Sequence, residues 1–331
     1  DRRLTRKEKQ GAERAEWDMF DKIVTVTLNP ALDATLWLDS LDFAEPNEAE
    51  RELLYAGGKG VNISRVLASL GIEAKAYGIC GSDNAGRFLS LLDGDGVIHD
   101  FVRVEGAVRE NLTINIPNGR FLKINRKGCG VSVEAMRQLR QKLEDEVNGG
   151  EKTLMVFAGS LPPNVTPEAY KAFLLSFRQE NVFFALDNAF FKLEDLEEIR
   201  PFVVKPNLLE FRKMSGSELR TEQSILKLAR SMGGYVAHTL VSLGGKGLIY
   251  AGEEGAFRYH NPPVVVKSTV GAGDTTLAAF LSALQRGESA SDAAHYAAAA
   301  GSASVTLDGT DVVSPGLVEK FQPQITRKMI R

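Results

Sequence analysis

Apolar positions along this chain follow two rhythms. Short runs rich in β-branched residues recur at Ile23 to Leu28, Ala74 to Cys80, Val97 to Val102, Thr153 to Ala158, Val182 to Leu186, Phe202 to Val204 and Ala237 to Val241, and these read as buried strands. Between them, apolar residues take helical spacing at Val61 to Leu70, Asn84 to Leu92, Val133 to Val147, Pro167 to Phe177, Leu208 to Met214 and Leu277 to Leu284. Strands alternating with helices predict an α/β fold with a parallel sheet under helices. Leu248-Ile249-Tyr250 is predicted to return antiparallel to the Ala237–Val241 strand.

Two stretches break the alternation. Thr35 to Leu38 and Arg51 to Tyr55 are short strand candidates around a polar, Pro-containing link. Asn111 to Ile116 and Arg120 to Ile124 alternate polar and apolar around Asn118-Gly119, a strong hairpin signal. Together they predict a small, half-exposed second sheet, inserted as segments at about 34–56 and 106–126. It would serve as a lid over a site or as a homodimer surface, since unpaired strand edges favour pairing. No repeat, low-complexity linker or clean break divides residues 19–331, which read as one domain.

The chemistry gathers at turns that open helices. Val264-Val265-Val266 leads through Ser268-Thr269-Val270 into Gly271-Ala272-Gly273-Asp274, and the Leu277–Leu284 helical run follows. Small residues at Gly271, Ala272 and Gly273 let backbone N–H groups converge on an anion, and the helix adds about half a positive charge. Asp274 falls in the first helical turn. A carboxylate beside an anion hole suits phosphoryl transfer to a hydroxyl, because the acid takes the proton while the N–H groups hold charge. A plain loop with an Asp cap fits the same residues.

Ala56-Gly57-Gly58-Lys59-Gly60-Val61-Asn62 is a second Gly-rich turn opening a helix, without the spacing of a P-loop. Its close backbone beside Lys59 and Asn62 suits a polyol, and Lys59 suits a phosphate; a solvated lysine at a helix start is the alternative. Pro30 stops the first strand and leaves Asp33 just past its C-terminal end, where open α/β sheets bind ligands. Asn207 and Glu210 share a helical face. Their oxygens suit waters around Mg²⁺, and they equally fit a capping box. The Gly244-Gly245-Lys246-Gly247 turn either underlies a nucleotide or closes a hairpin. The small residues from Ala293 to Ser304 admit a neighbouring helix or a flat adenine ring.

Composition narrows the class. Of 331 residues, 44% are hydrophobic and 25% charged, as in ordinary globular enzymes. A formal net charge of −3 gives no footprint for nucleic acid or anionic membrane, and no apolar run approaches the ~20 residues of a membrane span. The cysteines, Cys80 and Cys129, lack metal-ligand spacing and fit a reducing compartment such as the cytoplasm. Residues 1–18 are almost wholly polar, so Met19 is expected to be the natural start and what precedes it an added or upstream extension, a genuine N-terminal arm being the alternative.

Seven stretches in order resemble the PfkB family of ribokinase-like sugar kinases, in its 1-phosphofructokinase and tagatose-6-phosphate kinase branch. They are Thr27 to Asp33, Gly57 to Asn62, Arg109-Glu110-Asn111, Gly159 to Pro163, Lys205 to Glu210, Val241 to Gly244 and Ser268 to Asp274. The resemblance implies a three-layer αβα sandwich with a mainly parallel central sheet and a small β lid, using ATP and Mg²⁺ on a sugar phosphate. It implies Asp274 as catalytic base with an anion hole at Gly271, Ala272 and Gly273. Sugar contacts fall on Asp33, Gly57, Gly58 and Asn62, and the substrate phosphate on Arg109 with Lys59 nearby. Nucleotide contacts fall on Lys205, Ser242, Gly244, Gly247 and Thr269, and the magnesium-linked motif on Asn207 and Glu210.

Three stretches depart from the branch. Arg126-Lys127-Gly128-Cys129 stands where an acidic, Pro-containing turn is usual, Asn164 where Gly is usual, and Asn188-Ala189-Phe190 where a Thr/Ser-Ser-Gly run is common. They leave the chemistry intact and bear on which sugar is used. Fructose 1-phosphate is the first expectation. Tagatose 6-phosphate, fructose 6-phosphate, an unphosphorylated sugar or a nucleoside are same-chemistry rivals. A non-catalytic sugar-phosphate sensor is the rival of another class, and the intact Asp274 and Gly271 turn count against it.

Overall fold

The structure, a computed structural model, describes residues 19–117 and 120–330. The reading of residues 1–18 as an extension and of Asn118-Gly119 as the hairpin turn falls outside those residues. Seven strands of the main sheet are parallel. They are β1 (Lys22–Thr27), β4 (Lys75–Gly81), β5 (Ile98–Val104), β8 (Thr153–Ala158), β9 (Val182–Asp187), β10 (Val203–Val204) and β11 (His238–Ser242). Their order across the sheet is β11-β10-β9-β8-β1-β4-β5, and β12 (Leu248–Gly252), β13 (Gly255–His260) and β14 (Thr326–Ile330) extend the β11 edge antiparallel.

The strands are apolar on both sides because both sides are covered. On one face, the helices Lys59–Ser69, Ala272–Gln285, Ala290–Ser304 and Pro315–Phe321 bury Ile63, Leu67, Leu277, Phe280 and Val318 with Ile23 of β1. On the other, the helices Val133–Val147, Pro167–Leu175, Leu193–Ile199, Leu208–Ser215 and Glu222–Ser231 bury Leu139, Tyr170, Leu196, Phe211 and Ile225 with Val24 and Val26. That is the expected αβα sandwich. The Leu193–Ile199, Glu222–Ser231 and Pro315–Phe321 helices and strands β13 and β14 were not anticipated from the periodicity. Among the described residues six helices carry ordinary side-chain caps, with Ser132, Thr166, Asn207, Thr221, Ser289 and Ser314 each accepting from an N3 amide.

The small sheet is also present. Strand β3 (Arg51–Gly57) pairs antiparallel with β2 (Ala31–Trp37), β2 pairs parallel with β6 (Arg109–Ile116), and β6 pairs antiparallel with β7 (Arg120–Ile124). One expectation is corrected here. Asp33 does lie past the C-terminal end of β1, but as the third residue of a further strand, β2, which begins at Ala31 rather than at Thr35. Main-sheet pairing ends at Thr27, three residues before Pro30, and Ala31 pairs with Gly57 and Arg109 in the small sheet. Register sets Asp33 opposite Asn111 and Thr113 opposite Lys123. With a side-chain period of two, Asp33, Arg109, Asn111 and Lys123 therefore share one face of the lid. Leu54 and the buried Leu32, Ala56 and Val108 seat the lid on Phe88 and Leu92 of the Ala85–Gly94 helix.

Candidate active site

A cavity of about 700 Å³ opens where the parallel strands end, between the sheet and the lid. Two helices point their N-termini into it, and both begin at glycine. Gly271, at φ 77°, precedes Ala272–Gln285, and Gly58, at φ 104°, precedes Lys59–Ser69. Neither helix has a side-chain cap, unlike the six named above. The first-turn amides at Ala272 and Gly273 are thus left for an anion. Gly57 does not line the cavity but lies behind Asp33; a Cβ there would fall 2.0 Å from Asp33 Oδ2.

Asp274, 6% exposed, is the third residue of its helix. Its Oδ2 accepts from Asn62 Nδ2 at 2.7 Å, and the Asn62 Oδ1 is buried without a partner. Burial, reinforced by the charge of Asp187, pushes the Asp274 carboxyl up to about 7, against the pull of Lys59, Asn62 and Lys205. Such a carboxylate is poised as a base near neutral pH.

Asp187 is the centre of a charge network and was not singled out from the sequence. Lys59 Nζ donates to Asp187 Oδ1 at 2.7 Å and to Glu210 Oε1 at 3.1 Å. Lys205 Nζ lies 3.1 Å from Asp187 Oδ2, off the hydrogen-bonding direction. Burial alone would raise the Asp187 carboxyl, but Lys205 and Lys59 outweigh it and hold it low. Burial likewise opposes the charge on Lys59, and Asp187, Asp274 and Glu210 override it, so the amine is held protonated. Lys59 therefore spends two of its three donors on acids, while its partly exposed side chain still lines the cavity.

Asn207 and Glu210 form a capping box, with Glu210 N donating to Asn207 Oδ1 and Asn207 N to Glu210 Oε2, each at 2.9 Å. Both Glu210 oxygens thus have partners. Among the described residues no group of three or more His, Cys, Asp or Glu is placed to hold a metal. The donor set fits a magnesium ion that keeps its waters and nucleotide oxygens, not a cage of protein ligands.

The lid wall carries Asp33, Arg109, Asn111, Lys123 and Asn125. Arg109 Nη2 donates to Asn29 O at 3.1 Å and Ser160 Oγ at 3.2 Å, Nη1 to Arg126 O at 3.1 Å and Nε to Pro30 O at 3.4 Å. All four acceptors are neutral. Burial lowers its pKa, with Asp33 opposing, and a guanidinium remains charged throughout. Asn111 Nδ2 donates to Asp33 Oδ1 at 2.8 Å. At the far end, Ser242, Gly244, Gly247 and Thr269 line a slot with Val264, Val266 and Ala298. The small residues of the Ala290–Ser304 helix serve close helix packing and also line the cavity. The helix packs on Ala272–Gln285, and Ala298, Gly301 and Ser302 face the cavity. Sequence reasoning missed Asp187, Asn111, Ser160 and Lys123; strand alternation on the lid was the signal that would have found Asn111 and Lys123.

The pattern of the pfkB family carbohydrate kinases matches residues 26–315. A 1-phosphofructokinase of Borreliella burgdorferi is 30% identical over 283 residues, covering 85% of this chain and 91% of the relative. A 1-phosphofructokinase of Vibrio cholerae is 32% identical over 267 residues, 78% and 82% of the two chains. The crystal structure of phosphofructokinase-2 from Escherichia coli in complex with substrates and products superposes with a TM-score of 0.85 at 26% identity, over 92% of this chain and 99% of that one. An uncapped glycine-opened helix carrying a buried aspartate, under a four-stranded lid, is thus accompanied by a match across nearly the whole chain, and the chain belongs to the pfkB family of carbohydrate kinases.

Proposed function

We propose that this chain transfers the terminal phosphoryl group of ATP to a hydroxyl of a sugar phosphate, with fructose 1-phosphate as acceptor and fructose 1,6-bisphosphate as product. The observation that carries the reading is Asp274, raised to about 7 and held by Asn62 beside the free amides of Ala272 and Gly273. Asp274 takes the proton of the acceptor hydroxyl. The oxygen bonds to the γ-phosphorus as the bond from that phosphorus to the ADP oxygen breaks, and the two amides hold the charge in flight. Asn62 Oδ1, buried and unpartnered, accepts from a sugar hydroxyl, and Asp33 accepts from another. Arg109 and Lys123 on the lid take the phosphate already on the sugar, and Lys205, Ser242, Gly244, Gly247 and Thr269 face the nucleotide. Magnesium, held through water by Asn207 and Glu210, supplies charge neutralisation on the ATP phosphates when bound. The exposed Phe121, Leu122 and Ile124 of β7 form the edge by which two lids pair in a homodimer. The cytoplasm is the site of action, in keeping with the free thiols of Cys80 and Cys129.

The test is ATP-dependent ADP formation with fructose 1-phosphate, fructose 6-phosphate, tagatose 6-phosphate and free fructose. Fructose 1-phosphate is expected to give the highest kcat/KM. A higher value for free fructose would move the protein to the kinases of unphosphorylated sugars.

A further inference from the structure

Residues 125–131 join the lid to the Val133–Val147 helix without regular structure. They carry the departure at Arg126-Lys127-Gly128-Cys129, yet they are firmly held. Asn29, 7% exposed, donates through Nδ2 to Lys127 O at 3.0 Å, Leu161 O at 3.1 Å and Ser160 Oγ at 3.3 Å. At the far end, Asn164 closes a two-bond ring on Val131, accepting from its N at 2.9 Å and donating to its O at 2.7 Å. Between them Gly128 sits at φ 91°, and a Cβ there would fall 2.2 Å from Asn29 Oδ1, so the backbone lies against the amide.

Three of the acceptors on Arg109 belong to this assembly: the carbonyls of Arg126 and Asn29 and the hydroxyl of Ser160. The segment also reaches Asp33, because Arg126 N donates to Asn111 Oδ1 at 3.2 Å and Asn111 donates on to Asp33. A guanidinium held only by neutral oxygens keeps its full charge for a ligand, but it is aimed only if those oxygens are themselves fixed. Asn29 fixes them. Without its amide the Lys127 and Leu161 carbonyls and Ser160 lose their common donor, and the arc around Arg109 is free to spread.

We propose that Asn29 is a positioning residue that presents Arg109 in one orientation to the acceptor's phosphate, and that Asn164 steadies the same arc from its other end. The proposal rests on the function stated above. It is tested by steady-state kinetics of Asn29→Ala and Asn164→Gly, each alone and in an Arg109→Ala background, with fructose 1-phosphate and ATP varied separately. Asn29→Ala should raise KM for the sugar phosphate about tenfold, with kcat and the ATP KM within about twofold. Asn164→Gly should act in the same direction by a smaller factor. In the Arg109→Ala background both effects should shrink to within about twofold, because a residue acting through Arg109 has nothing left to act on. An equal KM effect in both backgrounds overturns the proposal, since it marks a general structural role. So does an unchanged sugar-phosphate KM in the single variants. Should Asn29→Ala fail to fold, the exposed Asn164→Gly decides through the same cycle. A parent that does not prefer a phosphorylated acceptor overturns the function reading itself, and that result is read on the parent before any variant is made.

Discussion

The two long walls of the cavity carry their charge in opposite ways. On the sheet side, Lys59 and Lys205 meet Asp187 and Glu210 at 2.7 to 3.1 Å, and the Asp187 side chain is fully buried. On the lid side, Arg109 rests on neutral oxygens, and among the described residues no acid lies within 4.0 Å of it or of Lys123. The sheet wall is thus a closed set of charges that settles its own protonation states. The lid wall is an open set that an anion completes. A buried pair resists change because removing one partner strands the other, at about 3–5 kcal/mol. A cation on neutral oxygens is held at lower cost and rewards the arrival of a phosphate.

Breaking the sheet wall should have the largest effects. Asp274→Asn should lower kcat by about 10²–10⁴-fold while ATP affinity, followed by equilibrium binding, stays near that of the parent. Near-parental turnover would remove Asp274 as the base. Asp187→Asn comes next. It leaves Lys59 and Lys205 facing a neutral group, and denaturant unfolding should show a loss on the order of 3–5 kcal/mol. It also has a pH signature. Asp274 is inactive as a base when protonated, so kcat/KM of the parent should fall as pH drops through about 7. Since Asp187 helps to raise that pKa, its replacement should move the acid limb to lower pH; an unmoved limb would show that burial alone sets it.

Changes on the lid wall should be smaller and confined to the acceptor. Arg109→Ala should raise the sugar-phosphate KM about 10- to 100-fold, in line with ~1.5–3 kcal/mol for a charged hydrogen bond, and leave the ATP KM nearly alone. Lys123→Met should do the same by severalfold, as suits an exposed cation. On the sheet wall, Glu210→Gln is the exception with the mildest effect, because Lys59 keeps Asp187 at 2.7 Å; it should raise the magnesium concentration needed for half-maximal rate more than the sugar KM. Superimposable magnesium titrations would leave Glu210 as a capping residue and a partner of Lys59 only.

Much of this was legible before any coordinates. The Val133–Val147 helix and the Thr153–Ala158 strand fall at the boundaries their periodicity predicts, because apolar spacing and a Ser132 cap act within a single element. Gly271 and Asp274 were legible for the same local reason. Asp187 was not. A strand-end Asp looks like any turn residue, and its meaning comes from Lys59, 128 positions earlier, and from Lys205 just past the end of the next strand. Asp33 was read only as lying just past the first strand's end, because nothing local announces that a second sheet starts at Ala31, four residues after main-sheet pairing stops at Thr27. Strand β14 went unread because four of its five residues are exposed and no apolar alternation marks it.

The same ion-pair network sets a timetable for the chain. Asp187 has one lysine partner from the first fifth of the sequence and another from beyond its midpoint, and the base Asp274 comes later still. During synthesis, then, Lys59 emerges long before it has an acid to meet, and the anion hole exists only once most of the protein has been made. Long-range closure of this kind slows folding and leaves early fragments without a finished core. An N-terminal fragment ending before residue 274 has neither Asp274 nor the helix that carries it, so the cavity is completed late and all at once.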